Sequence, residues 1–154
     1  MVEKIISGGQ SGADRAALDW AMAHNVPHGG YCPKGRIAED GTIDPKYQLQ
    51  ETKNLDYSER TELNVLHSDG TAIFSIKGVL DGGSRETSDF AKKHKKPWIH
   101  IRQKLDNPAQ SLRQFLEHND IRILNVAGPR ASREPDVGRF VIEILDETFQ
   151  DAQS

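Results

Sequence analysis

The residues of this chain best suited to chemistry sit in three glycine-bearing segments. The first is Gly8-Gly9-Gln10-Ser11-Gly12. Glycines with no Cβ let backbone amides approach an anion closely, and the helix predicted to follow presents its positive end to negative charge. Phosphate is the guest such a segment suits. The Gly8, Gly9, Gly12 spacing departs from the dinucleotide fingerprint, and the Gly-Lys pair of a Walker loop is missing. Taken alone, these glycines also serve a tight turn and close helix packing. The second segment is Gly82-Gly83-Ser84, where Ser84 or Thr87 can cap a helix and offer a hydroxyl to the same anion. The third runs Asn125-Val126-Ala127-Gly128-Pro129-Arg130-Ala131-Ser132. Its Arg130 can grip a phosphate or carboxylate through a bidentate fork. Each segment follows an apolar run, so turn chemistry explains any one of them more easily than all three together.

Other polar residues lie close by in sequence. Asp14, three residues after Ser11, can return its carboxylate to the helix amides, with Arg15 beside it to moderate its charge. Lys34 and Arg36 are candidate phosphate partners, and Glu39 a candidate contact to a base or hydroxyl; a solvated charged loop accounts for all three equally well. Arg60 and Glu62 can face the same place from a helix. The six histidines are scattered without the i, i+4 pairing of a zinc enzyme. No Gly-x-Ser-x-Gly elbow is present and Cys32 has no assured histidine neighbour, so neither a catalytic nucleophile nor a metal ligand is assigned. Exchange of Gly9 for Val is expected to remove binding while leaving the fold largely intact.

The elements that must position these residues alternate strand and helix. Strands are predicted at Lys4 to Ser7, Val26 to Gly30, Thr71 to Ile76, Pro97 to Ile101 and Ile121 to Ala127. Helices are predicted at Ala13 to His24, Tyr57 to His67, Glu86 to Lys95, Pro108 to His118 and Glu134 to Phe149, the last with Val137, Phe140, Val141, Ile144 and Leu145 on its buried stripe. Ser58 followed by Thr61 makes a partial capping pattern for the second helix. Tyr31 to Asp56 has no sustained period and reads as a long ordered loop, functional or a plain surface excursion. This alternation predicts a single Rossmann-like α/β domain over residues 1–150, three-layered, with a mostly parallel sheet of about five strands. Residues 151–154 are expected to fray. In such a sheet, ligands sit outside the carboxyl ends of the strands, where all three glycine segments fall.

The bulk properties exclude several classes. The 154 residues suffice for one core, and 20 Lys and Arg against 23 Asp and Glu leave a net charge of −3. Charges are mixed along the chain; the basic run Lys92-Lys93-His94-Lys95-Lys96 reads as a solvated helix end, so nucleic acid is not an expected partner. No stretch is apolar enough to span or enter a membrane as a signal, and the single cysteine cannot form an internal disulfide, so a cytoplasmic location is expected.

Four segments together carry a family resemblance. They are Ile5 to Asp19, Pro27 to Gly41, Glu59-Arg60-Thr61-Glu62-Leu63-Asn64-Val65, and Leu124 to Arg130. They resemble the signature segments of the molybdenum carrier (molybdenum cofactor carrier-like) family, within a Rossmann-like group that includes phosphoribohydrolases once labelled lysine decarboxylases, as well as DNA-processing and nucleotide-sensing proteins. The resemblance implies a non-catalytic carrier that holds the molybdenum cofactor (molybdopterin) or a nucleotide and passes its cargo to a molybdoenzyme apoprotein. It also implies a homo-oligomer. Two alternatives stay open: a nucleoside-monophosphate phosphoribohydrolase and a nucleotide-sensing domain. Against the hydrolase, Gly82-Gly83-Ser84-Arg85-Glu86-Thr87 lacks the later glycine of those enzymes and does not place a glutamate in their register.

Overall fold

A computed structural model of the chain describes residues 1–150; the 151–154 segment, expected to fray, lies outside the described residues. Strand β1 (Lys4–Ile6) leads into α1 (Ala13–Ala23) and then β2 (His28–Gly29). Four short strands follow, β3 (Tyr31–Cys32), β4 (Ile37–Ala38), β5 (Gly41–Thr42) and β6 (Gln50–Glu51), before α2 (Tyr57–Leu66). The chain continues through β7 (Gly70–Ser75), α3 (Gly82–Lys93), β8 (Trp98–Arg102), α4 (Pro108–His118), β9 (Ile123–Ala127) and α5 (Val137–Thr148).

Five strands form one parallel sheet in the order β2-β1-β9-β7-β8. The interior strand β7 is buried at every position, as a strand covered on both faces must be. From β1 the chain crosses outward to β2, and from β7 it crosses the other way to β8, so right-handed connections send α1 and α3 to opposite faces. Helix α5 packs between α1 and α4 on one face, while α2 packs against α3 on the other. The expected Rossmann-like α/β layering is therefore what forms. The main core gathers Ile5, Phe74, Ile101, Leu112, Leu124, Val126, Val141 and Leu145 around the sheet. Every one of these side chains is 0% exposed, and burying one stabilises by about 1.5–3 kcal/mol.

The long segment after β2 has more structure than its composition signals. β3 pairs in parallel with β6, and β4 pairs antiparallel with β5. Strands of two residues carry no readable period, which is why the sequence shows none. Two other devices hold the segment. Ile43 and Tyr47 close over Leu18 and Cys32 as a small second core. Arg36, in the left-handed region at φ 55, donates to the carbonyls of Ile43, Asp44, Tyr47 and Leu49 at 3.2, 2.9, 2.8 and 3.4 Å.

Helix boundaries differ from expectation in three places, each for a local reason. Helix α2 is capped by Asp56, whose carboxylate accepts the Glu59 N–H at 3.2 Å, rather than by Ser58, which donates to Glu86 instead. Helix α3 begins at Gly82, a turn before Glu86, so Ser84 and Thr87 lie inside it; the Thr87 hydroxyl bonds the Gly83 carbonyl at 2.8 Å. Helix α5 begins at Val137 because Glu134 turns inward, its carboxylate accepting the N–H groups of Ile76 and Lys77 at 2.7 and 3.2 Å.

Candidate functional site

The tips of β1, β9 and β7 point the same way, and the starts of α2 and α3 lie beside them. Between them is a cleft of about 440 Å³. It lies where the chain turns from β1 one way and from β7 the other, with β9 between, which is the position at which open parallel sheets hold their ligands. Its lining residues come from each of the three glycine-bearing segments, together with residues of α2 and Arg133.

Two of the glycine segments touch directly. A Cβ on Gly12 would lie 2.5 Å from the Pro129 carbonyl oxygen, and one on Gly128 would lie 2.6 Å from the Ala13 Cβ. Only a hydrogen fits at either place. The Ala131 N–H then donates to the Ser11 hydroxyl at 3.2 Å, which fixes the β9 tip against the start of α1.

The start of α3 faces the cleft without a side-chain cap. The N-cap residue Asp81 directs its carboxylate to Arg133 at 3.0 Å instead of to the helix amides. Gly83 lines the cleft, and a Cβ there would meet no atom within 4 Å. Amides at such a start lack intrahelical partners and carry partial positive charge.

Cationic side chains complete the polar wall. Arg60 of α2 is only 9% exposed, donates through Nη1 to the Gly8 carbonyl at 2.9 Å, and holds its Cζ 4.8 Å from the Tyr57 ring centroid. The Arg130 Cζ lies 5.9 Å from the same ring. On the floor, the Asn125 amide nitrogen donates to Thr71 at 3.2 Å. Gln10 accepts the Ser11 and Glu39 N–H groups at 3.0 and 2.8 Å through its carbonyl oxygen, while its buried Nε2 has no partner.

One acid is buried in this setting. Asp14 lines the cleft at 7% exposure. Burial pushes its carboxyl from an ordinary 3.8 up to about 6, opposed by the charges of Arg60 and Arg15 and by the backbone amides of Gln10 and Gly8.

Of the residues singled out from the sequence, Gly8, Gln10, Asp14, Arg60, Gly82, Gly83, Ser84, Thr87, Asn125, Gly128 and Arg130 line the cleft. Gly9, Gly12, Ser11, Arg15, Arg36 and Glu39 are placed elsewhere with structural tasks, and Lys34 lies on the surface. Gly9, at φ +76, turns toward the long segment, where a Cβ would lie 2.5 Å from Leu49 Cδ1. A valine there strains the backbone and the loop packing, so the expectation of an intact fold on that exchange does not hold. Gly12 serves the close contact already described. Ser11 bonds Glu39, whose carboxylate also accepts from the Ser132 hydroxyl and N–H at 2.5 and 3.1 Å, and these bonds hold it below the usual carboxylate range. Arg15 pairs with Asp40 and donates to the Gly9 carbonyl at 3.0 Å. Arg36 is committed to carbonyls within its own segment, and Lys34 is exposed outside the cleft.

Several lining residues are not assigned to the site from sequence, among them Tyr57, Thr61, Asn64, Asp81, Glu86 and Arg133. Tyr57, Thr61, Asn64 and Glu86 enter through the packing of α2 beside α3, and Arg133 from the segment after β9 through its bond to Asp81, which no local pattern encodes. Asn64 had a different signal available: it stands in a family-like segment, and its amide clamps the Tyr31 N–H and carbonyl at 2.8 and 3.0 Å.

Together these features define an α/β domain of Rossmann-like layering with a polar cleft at its strand tips. The chain belongs to the circularly permutated YpsA SLOG family, whose model matches residues 5–149. It is also similar to a crystal structure from Syntrophus aciditrophicus named "Putative molybdenum carrier protein", at 47% identity and a TM-score of 0.93, with 96% of this chain and 94% of that one covered. No curated protein matches the chain.

Proposed function

We propose that the chain is a carrier that binds a phosphate-bearing small molecule, the molybdenum cofactor or a nucleotide, in the cleft between β1, β9, β7 and α3. The observation that carries this reading is the uncapped start of α3, with open space at Gly83, facing the guanidinium groups of Arg60 and Arg130 across one cleft. Unpartnered amides, a helix dipole and arginines acting on one point make an anion site. The residues fit a terminal phosphate. The Syntrophus protein's name supports the cofactor as cargo.

Cys32 is fully buried in the second core and does not line the cleft, so the protein's own contribution to such a cargo is to its phosphate and heterocycle, through backbone amides, arginines and the Tyr57 ring. We further place the carrier in the cytoplasm as a homo-oligomer, delivering to a molybdoenzyme apoprotein.

Native mass spectrometry of protein purified under reducing, anaerobic conditions tests the proposal, since a retained pterin or nucleotide identifies itself by mass. Stoichiometric retention is expected. Release of free base from a panel of nucleoside monophosphates would replace the carrier by a phosphoribohydrolase, and failure to bind any phosphorylated compound would remove the reading altogether.

A further inference from the structure

The cleft contains one buried acid, a group whose position is unfavourable for an anion site. Asp14 is buried, lines the cleft, and takes part in none of the ion pairs of the described residues. Its nearest cation by charge effect, Arg60, spends Nη1 on the Gly8 carbonyl at 2.9 Å. Desolvated anions without a paired cation are costly, and a second anion brought into the same cleft raises that cost.

We propose that Asp14 is the proton-exchanging group of the cleft: it is ionised and shares the field of Arg60 when the cleft is free, and it takes up one proton when an anionic ligand enters. This rests on the anion-binding reading above and adds its regulation. Entry of the ligand's negative charge does the work, since it favours the neutral form of the carboxyl. By linkage, proton and anion then promote each other's binding by the same factor.

The charges that act on Asp14 are those of Arg60 and Arg15, and the other charged groups of the cleft come from the elements around it. Arg15 lies on its own helix but is held by Asp40; Arg60 comes from α2; Asp81 and Glu86 come from α3, bonded to Arg133 and Ser58; Arg130 enters from the segment after β9. No histidine or cysteine lines the cleft among the described residues. Arginines stay charged across the physiological range, so they set the field without titrating. The burial that already draws the Asp14 carboxyl upward places its response near neutrality rather than at acid pH.

The experiment uses the full chain and sulfate, a probe whose own charge is constant between about pH 5 and 8. Calorimetric titrations are run across that range in two buffers of different ionisation enthalpy. Sulfate affinity is expected to rise as pH falls from about 8 to 6, approaching tenfold per pH unit, and to level off below, with close to one proton taken up per sulfate near pH 7.5. The variant Asp14→Asn should bind at pH 7.5 at least about tenfold more tightly than the natural chain, with no slope and no proton uptake. A readout without substitution accompanies it: the carboxyl carbon resonance of Asp14 should titrate at a higher pH in saturating sulfate.

Sulfate binding that is independent of pH, or a slope that survives in Asp14→Asn, overturns the proton exchange and leaves the anion site standing. Absence of binding by sulfate and by a nucleoside monophosphate at every pH overturns both.

Discussion

Arg60 Nη1 and the Gly8 carbonyl oxygen, 52 residues apart in the chain, are joined at 2.9 Å, so the helix beside the cleft is tied to the first strand tip on its floor. A Cβ built on Gly8 would lie 2.4 Å from that same Nη1. The absent side chain is what lets the guanidinium reach the backbone, which makes the two residues a unit.

Gly8→Ala is therefore expected to push the Arg60 head aside rather than unfold the chain, because the atom it meets is the end of a long side chain. Affinity for sulfate or a nucleoside monophosphate should fall at least about tenfold, a loss of about 1.4 kcal/mol, while Arg60→Met should lose as much binding and also about 1–3 kcal/mol of stability from an orphaned buried carbonyl. Calorimetric titration and thermal unfolding of the two variants check this. Equal binding in the natural chain and Gly8→Ala would show that Arg60 does not read the ligand.

Gly83 offers a separation of fold from function. Since a Cβ there meets no atom within 4 Å and the residue lies in the first turn of α3, Gly83→Ala should leave stability unchanged or raise it by up to about 1 kcal/mol. Gly83→Val should fold as well and bind the anion much more weakly, because its branches occupy the space in front of the free amides. A valine variant with normal affinity would move the phosphate away from α3.

Asp14 sets a pH signature on stability. Its folded carboxyl titrates near 6 against an ordinary 3.8, so its favourable contribution is complete below about 3.8 and is lost as pH rises through about 6. At neutral pH the ionised group costs the empty protein about 3 kcal/mol, and Asp14→Asn should unfold at a higher temperature at pH 7.5, with the gain shrinking toward pH 4. Parallel melting curves across this range, with no such convergence, would refute the assignment.

Arg36 holds four carbonyls of its own segment, and its truncation should loosen residues 33–53 ahead of the sheet. Arg36→Met is expected to cost about 2–3 kcal/mol locally and to expose that segment to limited proteolysis, with ligand affinity little changed. A large drop in affinity with the segment still protected would restore Arg36 to the binding residues.

The strand tips were legible in the sequence because glycine is visible there and alternation of strand and helix fixes which end of the sheet each tip occupies. Gly8, Gly82, Gly83 and Gly128 could be placed on one edge before any coordinate. What sequence reading did not separate is glycine that frees an amide from glycine that admits a neighbour: Gly9 and Gly12 look like Gly83 but serve Leu49 and Pro129. Charged loop residues hide in the same way. Arg36 and Glu39 resemble ligand contacts in composition, yet their partners are carbonyls and hydroxyls brought near only by the folded segment. Asp14 was visible as a helix-start acid; its burial is set by the tertiary packing around the cleft, which no local pattern encodes. The Asp56 cap had a readable signal in the Glu59 that follows three residues later.

Glu134 clasps the two amides that follow β7, and it belongs to the stretch that also delivers Arg130 and Arg133. Those two walls are thereby bolted into one jaw. The opposite wall, the first turn of α2, is held separately, by the Ser58 hydroxyl on Glu86 at 2.7 Å and by Arg60 on the Gly8 carbonyl, so bonds on both sides fix the width of the mouth.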